Sequence, residues 1–383
     1  MQEPDRALLE RPSFIRVLHV IDKLSMDGVN PSSVARLLVD WNRWAPSSGF
    51  EMVVVNLRYD RGCDFVEENG VRLEWFRSGA FRLPRDVRKV RELAEKHRAQ
   101  ILHGHGYYAS YLVRLAAPGC GCRAVIHEHA VLKKKPWFWI GDWLLRNRTD
   151  CGVAVSHGVR DFMANARCVP EEKIAVIYDG IDLGRFSVNV PPPSLRRKFG
   201  LPEEAWIAGV AARLREEKGV HFFVQAAHRL HQELPQMHFV VAGDGPQRED
   251  LLAQARALGL DSGTLQFLGH VDEIPSLLTA LDAVVVPSIR EGFGLSVVEA
   301  MACGKPVVAT AVGGIPEAVG SPENAILVPP ADPEALAKGI RRLYEDPQLA
   351  AELGEKGRRN AQRFSIQQSA AQLGELYRNL LSR

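Results

Sequence analysis

Residues 291–304 read EGFGLSVVEAMACG and follow the apolar run Ala283-Val284-Val285-Val286-Pro287-Ser288. That run has the length and β-branched content of a buried parallel strand. Gly292 and Gly294 loosen a turn after it, and Leu295 to Cys303 have the composition of a short helix that Gly304 ends. A strand, a glycine turn and a helix in that order outline a phosphate site.

A helix that begins at Leu295-Ser296 turns its unpaired N–H groups and the positive end of its dipole into the turn, which favours an anion such as a nucleotide diphosphate. Gly292, Phe293 and Gly294 let that anion approach the backbone. Glu291 stands before the turn and Glu299 about one turn inside the helix. Carboxylates repel phosphate, so the two read better as acceptors for hydroxyls at the ribose and hexose ends of a sugar nucleotide. The alternative is an ordinary crossover helix with two surface glutamates.

With 383 residues, 46% of them hydrophobic, the chain can bury two or three cores. Lys+Arg 48 against Asp+Glu 46 leaves +2, too balanced for a nucleic-acid binder. Six scattered cysteines, with Cys120 and Cys122 as a lone C-x-C pair, suit reduced thiols in a cytoplasmic protein better than zinc. The charged start, Met1 to Pro12, does not read as a signal peptide, and no window has the apolar length of a membrane span.

Strand and helix patterns alternate from Ile15 onward, which argues for parallel sheets covered on both faces. Prolines 191 to 193 interrupt the pattern, and it restarts at Ala205. The expected organisation is a first doubly wound domain over 14–186, a linker over 187–204 and a second doubly wound domain over 205–365. A last helix follows over 366–383. Open α/β sheets bind ligands beyond the carboxyl ends of their strands, so two such units facing each other form a cleft.

Glu291-Gly292-Phe293-Gly294-Leu295 with Glu299, then Met301-Ala302-Cys303-Gly304-Lys305-Pro306 and Gly313-Gly314-Ile315-Pro316-Glu317, form an unbroken pattern over some 27 residues. It resembles the signature of retaining GT-B glycosyltransferases, closest to glycosyltransferase family 4. The resemblance implies the GT-B fold, two Rossmann-like domains across a cleft with the terminal helix crossing back to the first. It also implies a hexosyltransferase working from a UDP- or GDP-sugar, without cofactor or metal, on a glycan, lipid-linked or small-molecule acceptor. A phosphorylase or epimerase of the same architecture, or a nucleotide-sugar-binding protein without turnover, are the alternatives.

Site residues follow from the same resemblance. Arg213-Leu214-Arg215-Glu216-Glu217-Lys218-Gly219 is similar to the family's R-L-x-x-x-K-G loop, making Arg213 and Lys218 the cations on the donor diphosphate. Fixed cations in a site shielded from water stabilise the charge that develops on the leaving oxygen. Arg215 reads as part of a surface cluster. Glu291 is assigned to the transferred sugar, Glu299 and Ser296 to the nucleotide side, and Gly243 and Gly245 to a turn near the base. Glu128-His129 matches the family's E-H pair, with His129 on the donor sugar and His127 expected to point the other way. Gly28 stands where the family has a glycine-rich loop with two adjacent glycines. Here Asp27 replaces the first of them. His105 and Asn30 are assigned to the acceptor. His103, His105 and His129 invite a metal reading, but carboxylate ligands at suitable spacing are lacking. Asp179, where the family typically has Asn, is read as hinge structure.

The segment 133–148, KKKPWFWIGDWLLRNR, holds three of the seven tryptophans between basic ends. Such a helix either docks on an anionic membrane at the inner face, reaching a lipid-linked acceptor, or is a core helix whose aromatics are buried.

Overall fold

The computed structural model describes residues 14–25, 30–79, 82–131, 136–188, 190–260 and 263–382. Gly28 and Lys133 to Lys135 lie outside the described residues, and within 136–138 only the backbone is described.

The first half runs β1 (Ile15–Ile21), α1 (Ser33–Trp44), β2 (Phe50–Asn56), α2 (Arg61–Glu68), β3 (Leu73–Trp75), α3 (Leu83–Lys96), β4 (Ile101–His105), α4 (Tyr107–Ala116), β5 (Arg123–Glu128), α5 (Pro136–Leu145), β6 (Cys151–Ala154), α6 (His157–Ala166) and β7 (Ile174–Val176). Its seven parallel strands take the order β3-β2-β1-β4-β5-β6-β7.

The second half continues with α7 (Pro192–Lys198), β8 (Trp206–Ala211), α8 (Val220–Glu233), β9 (Met237–Ala242), α9 (Arg248–Ala257), β10 (Leu265–Gly269), α10 (Ile274–Ala280), β11 (Ala283–Val286), α11 (Leu295–Ala302), β12 (Val307–Thr310), α12 (Ile315–Val319), β13 (Ile326–Val328), α13 (Pro333–Glu345), α14 (Pro347–Ala361) and α15 (Ile366–Leu381). Its six strands, again parallel, take the order β10-β9-β8-β11-β12-β13. In both sheets the order reverses beside the first strand, and the crevice at such a switch point is where ligands bind.

The central strands are apolar on both faces, as a sheet covered by helices on each side requires: Met237–Ala242, Ala283–Val286 and Val307–Thr310 are buried throughout. One apolar cluster joins the halves, running from Leu18 and Ile126 through Ile181 and Phe186 to Val286 and Phe293.

One element differs from the pattern expected of the sequence. The prolines do not leave the linker irregular, because Pro192 and Pro193 open α7, where a missing N–H costs nothing. Arg196 ties that helix to the second domain by donating to the carbonyls of Ala280, Glu203 and Ala205 and to Asp282 at 2.7 Å.

The terminal helix α15 packs on the first domain. Trp41 Nε1 donates to Ser369 Oγ at 3.0 Å, and Tyr377 Oη pairs with His103 Nδ1 at 2.7 Å. Gly374 sits so close to the Ser48 carbonyl that a Cβ there would come within 2.1 Å of it. Among the described residues, no helix is long and apolar enough to cross a membrane.

Candidate active site

The loop after β8, the turn after β9 and the turn after β11 meet at the carboxyl edge of the second sheet. Glycine makes the meeting possible. A Cβ at Gly243 would lie 1.8 Å from the Ala212 carbonyl, and one at Gly219 2.1 Å from the Pro287 carbonyl. Both residues have positive φ, at +135° and +62°. The backbone N–H groups of Ile289 and Arg290 then donate to the Glu217 carbonyl, locking the lysine loop to the turn that carries Glu291.

In this frame Lys218 Nζ reaches Glu291 Oε2 at 2.6 Å, while Ser288 Oγ donates to the same oxygen at 3.2 Å. Arg213 and Glu299 line a common cavity of about 240 Å3 together with Asn30, Gly243, Asp244 and Leu295. Glu299 is at its wall, and burial pushes its carboxyl up to about 7 against the pull of Arg185, Arg36 and Lys218. The four charged residues assigned to the donor therefore share one region.

Helix α11 begins at Leu295 with Gly294 as its N-terminal cap, at φ +103°. Phe293 does not face the cavity: its ring is buried, stacked on Tyr178 at 5.1 Å and edge-on to Phe364. Only its backbone is available to a ligand. Arg215 pairs with Glu217 at 2.9 Å, a local surface contact.

The first domain closes on this turn. A Cβ at Gly292 would come within 2.1 Å of the His129 carbonyl, and Ser156 Oγ donates to the Gly292 carbonyl at 2.7 Å. Glu317 accepts from the His157 N–H that opens α6, at 3.0 Å, and from Tyr178 Oη at 3.1 Å. His129 is thereby set beside the Glu291-Gly292 turn.

The comparisons agree with this architecture. The family model described as Glycosyltransferase Family 4 matches residues 34–185, and that described as Glycosyl transferases group 1 matches 193–360. Alpha-maltose-1-phosphate synthase of Mycolicibacterium smegmatis is 30% identical over 307 residues, covering 74% of this chain and 79% of the relative. The chain belongs to glycosyltransferase family 4.

Other proteins are similar as well. D-inositol 3-phosphate glycosyltransferase of Corynebacterium urealyticum is 36% identical over 219 residues, 54% of this chain and 51% of the relative, so the match spans about half that relative's length. Among solved structures, Anabaena HepE in complex with UDP-glucose superposes with a TM-score of 0.81 and 25% identity, covering 96% of this chain and 99% of that one.

In this family 4 chain His127 does not point away from His129. Residues two apart in a strand share a face, and the two rings stack at 4.2 Å. His105, expected to line the acceptor space, is instead buried between other rings. Its Nε2 pairs with His19 Nδ1 and its Nδ1 with His129 Nε2, both at 2.9 Å. His103 Nε2 and His127 Nδ1 pair at 3.2 Å. Burial pushes His19 down to about 3 and holds His103, His105 and His127 well below the usual histidine range, so these rings are neutral. The triads His19–His103–His105 and His105–His127–His129 bring ring nitrogens within 4.8 Å, a spacing a metal could use. The rings pair with one another and with Tyr377, while His19 Nε2, His127 Nε2 and His129 Nδ1 have no hydrogen-bond partner among the described residues.

Four positions of this family 4 chain escaped sequence reasoning. Asp179, read as hinge structure, is buried with Oδ2 3.5 Å from His129 Nδ1, a contact longer than a hydrogen bond. The sequence signal was present in its departure from the family's Asn. Arg36 from α1 and Arg185 from the interdomain crossing line the Glu299 cavity. No local motif marks them, because they meet Glu299 only in three dimensions. Lys23 follows β1; burial and the neighbouring Arg58, Arg215 and Arg213 lower its ammonium, which places it in the same positive field.

Proposed function

We propose that this family 4 chain transfers a hexosyl group from a nucleoside diphosphate sugar to an acceptor hydroxyl with retention at the anomeric carbon. The observation that carries the reading is the Lys218–Glu291 contact at 2.6 Å, beside His129, with Lys218 also close enough to act on the Glu299 carboxyl that lines a cavity with Arg213. That arrangement supplies cations for pyrophosphate and carboxylates for polyols within one small volume.

Arg213, Lys218 and the N–H groups at the start of α11 hold the diphosphate. Gly243 and Gly245 let the β9 turn pass under the base, and Glu299 accepts from ribose hydroxyls. Glu291 and the Gly292 and Phe293 backbone hold the hexose, with His129 on its far side. The bond from C1 to the phosphate oxygen breaks and a bond from C1 to the acceptor oxygen forms on the same face. The acceptor proton passes to the departing phosphate oxygen, so no protein nucleophile is needed. Two side-chain cations and a helix terminus take the role a divalent metal would otherwise fill.

HepE's UDP-glucose complex makes UDP-hexoses the first donors to try. Incubating the purified chain with a panel of UDP- and GDP-sugars, with and without cell extract as acceptor, and with a chelator throughout, tests the reading. Acceptor-dependent release of one nucleoside diphosphate in the presence of chelator is the expected result. Release that requires inorganic phosphate in place of an acceptor hydroxyl supports a phosphorylase instead.

A further inference from the structure

Helix α5 is built inside out. Its one carboxylate, Asp142, is fully buried, with Oδ1 2.5 Å from Arg114 and Oδ2 2.8 Å from Arg167. Arg167 also pairs with Glu128, the residue before His129. On the opposite side Trp139, Ile140, Trp143 and Leu144 are 43%, 57%, 45% and 63% exposed. They fall at i, i+1, i+4 and i+5, which is a single helical face. Elsewhere among the described residues large exposed apolar side chains stand singly, as at Trp44, or as the Tyr59–Trp75 pair.

A surface helix of a water-soluble domain normally buries its apolar face. Here two buried arginines grip the polar residue and force the apolar face outward. Burying an aspartate is tolerable because both its oxygens are paired, and that pairing holds the Asp142 side of α5 inward. The reading of these tryptophans as core therefore fails for Trp139 and Trp143.

The exposed charge within residues 130–148 has one sign. From 130 to 148 the only acid is Asp142, already neutralised inside, while Arg146 and Arg148 follow the helix. Arg146 lies over the Trp143 ring at 4.3 Å, a basic group at the edge of an aromatic face. Lys133, Lys134 and Lys135 add to the count by sequence alone.

We infer that α5 is an interfacial anchor that lays Trp139, Ile140, Trp143 and Leu144 into the headgroup boundary of an anionic lipid bilayer. Tryptophans with apolar neighbours and flanking arginines match that boundary, where apolar contact and charge attraction must act together. The anchor starts seven residues after His129 and is tied to it through Asp142, Arg167 and Glu128. Docking therefore brings the mouth of the cleft to the membrane surface, and the acceptor is a lipid-linked hydroxyl. This second half rests on the transferase reading above; the docking itself does not.

The test is co-sedimentation of the full chain with vesicles of phosphatidylcholine alone or mixed with phosphatidylglycerol, at low and high salt. UDP affinity is measured on the same preparations. The chain should bind the mixed vesicles at least about tenfold more tightly than the neutral ones, and salt should release it. The double variant I140D/L144D, and separately R148E, should lose that binding and keep UDP affinity. Equal binding to both vesicle types, or binding that survives both variants, overturns the anchor. So does a dimer in sedimentation velocity that I140D/L144D dissolves, since the face then belongs to a second copy. Failure to bind vesicles with UDP affinity intact overturns docking alone; vesicle binding without any nucleotide affinity overturns the transferase reading alone.

Discussion

Lys218 Nζ lies 2.6 Å from Glu291 Oε2, although 73 residues separate them in the chain. On the proposed reading, the cation assigned to pyrophosphate is held by the carboxylate assigned to the sugar. Binding must exchange that contact for two others, one to phosphate and one to a hydroxyl. Neutralising Glu291 frees Lys218 for phosphate while removing the grip on the hexose. Glu291→Gln should therefore bind UDP about fivefold more tightly, on the order of 1 kcal/mol, and transfer about 100-fold more slowly or worse. Calorimetry with UDP and initial rates with the donor check the two halves separately.

Gly292 is where the domains touch. An alanine there would place its Cβ 2.1 Å from the His129 carbonyl and wedge the first domain away from the turn. Gly292→Ala should fold, because each domain keeps its own sheet. It should lower kcat/KM by about 100-fold through misplacement of His129. Thermal unfolding and steady-state kinetics on the same variant check this.

The carboxyl of Glu299 is pushed up to about 7 by burial. A raised pKa means that this group's stabilising protonated form is present at low pH, and its contribution fades as pH rises from the ordinary carboxylate range through about 7. On the proposed reading, ribose hydroxyls donate to the ionised form, so donor binding opposes that proton. Affinity for an intact nucleotide sugar, whose diphosphate diester keeps a constant charge, should rise by about tenfold between roughly pH 6 and 8. Glu299→Gln should bind weakly and show a flat profile in the same titration.

Arg196 donates to three carbonyls and one carboxylate while buried. Arg196→Ala leaves those acceptors unpaired, and it should destabilise the second domain by about 3 kcal/mol or more in denaturant melts. UDP affinity in the folded fraction should not change, because the Arg196 side chain does not line the cavity.

Much of the architecture was legible because parallel strands buried on both faces are nearly all apolar, as at Met237–Ala242 and Ala283–Val286. Capping residues and glycines then marked the ends of the helices. The turn from Glu291 to Gly294 was legible for the same reason, since the backbone approaches there admit no Cβ. What could not be read was whatever depends on meetings between elements far apart in the chain. Arg36 and Arg185 come to Glu299 from other elements, and Asp179 reaches His129 from the far side of the chain crossing. The direction of His127 was misjudged by losing the two-residue period of a strand. The outward face of α5 was undecided because helical spacing alone does not say which side Arg114 and Arg167 will hold.

The most direct measurement is a crystal structure of the chain with UDP. The account predicts the diphosphate between Arg213 and Lys218 at the start of α11, the Lys218–Glu291 contact opened, and ribose hydroxyls on Glu299. UDP bound away from these side chains, or bound while Lys218 stays paired with Glu291, would contradict it.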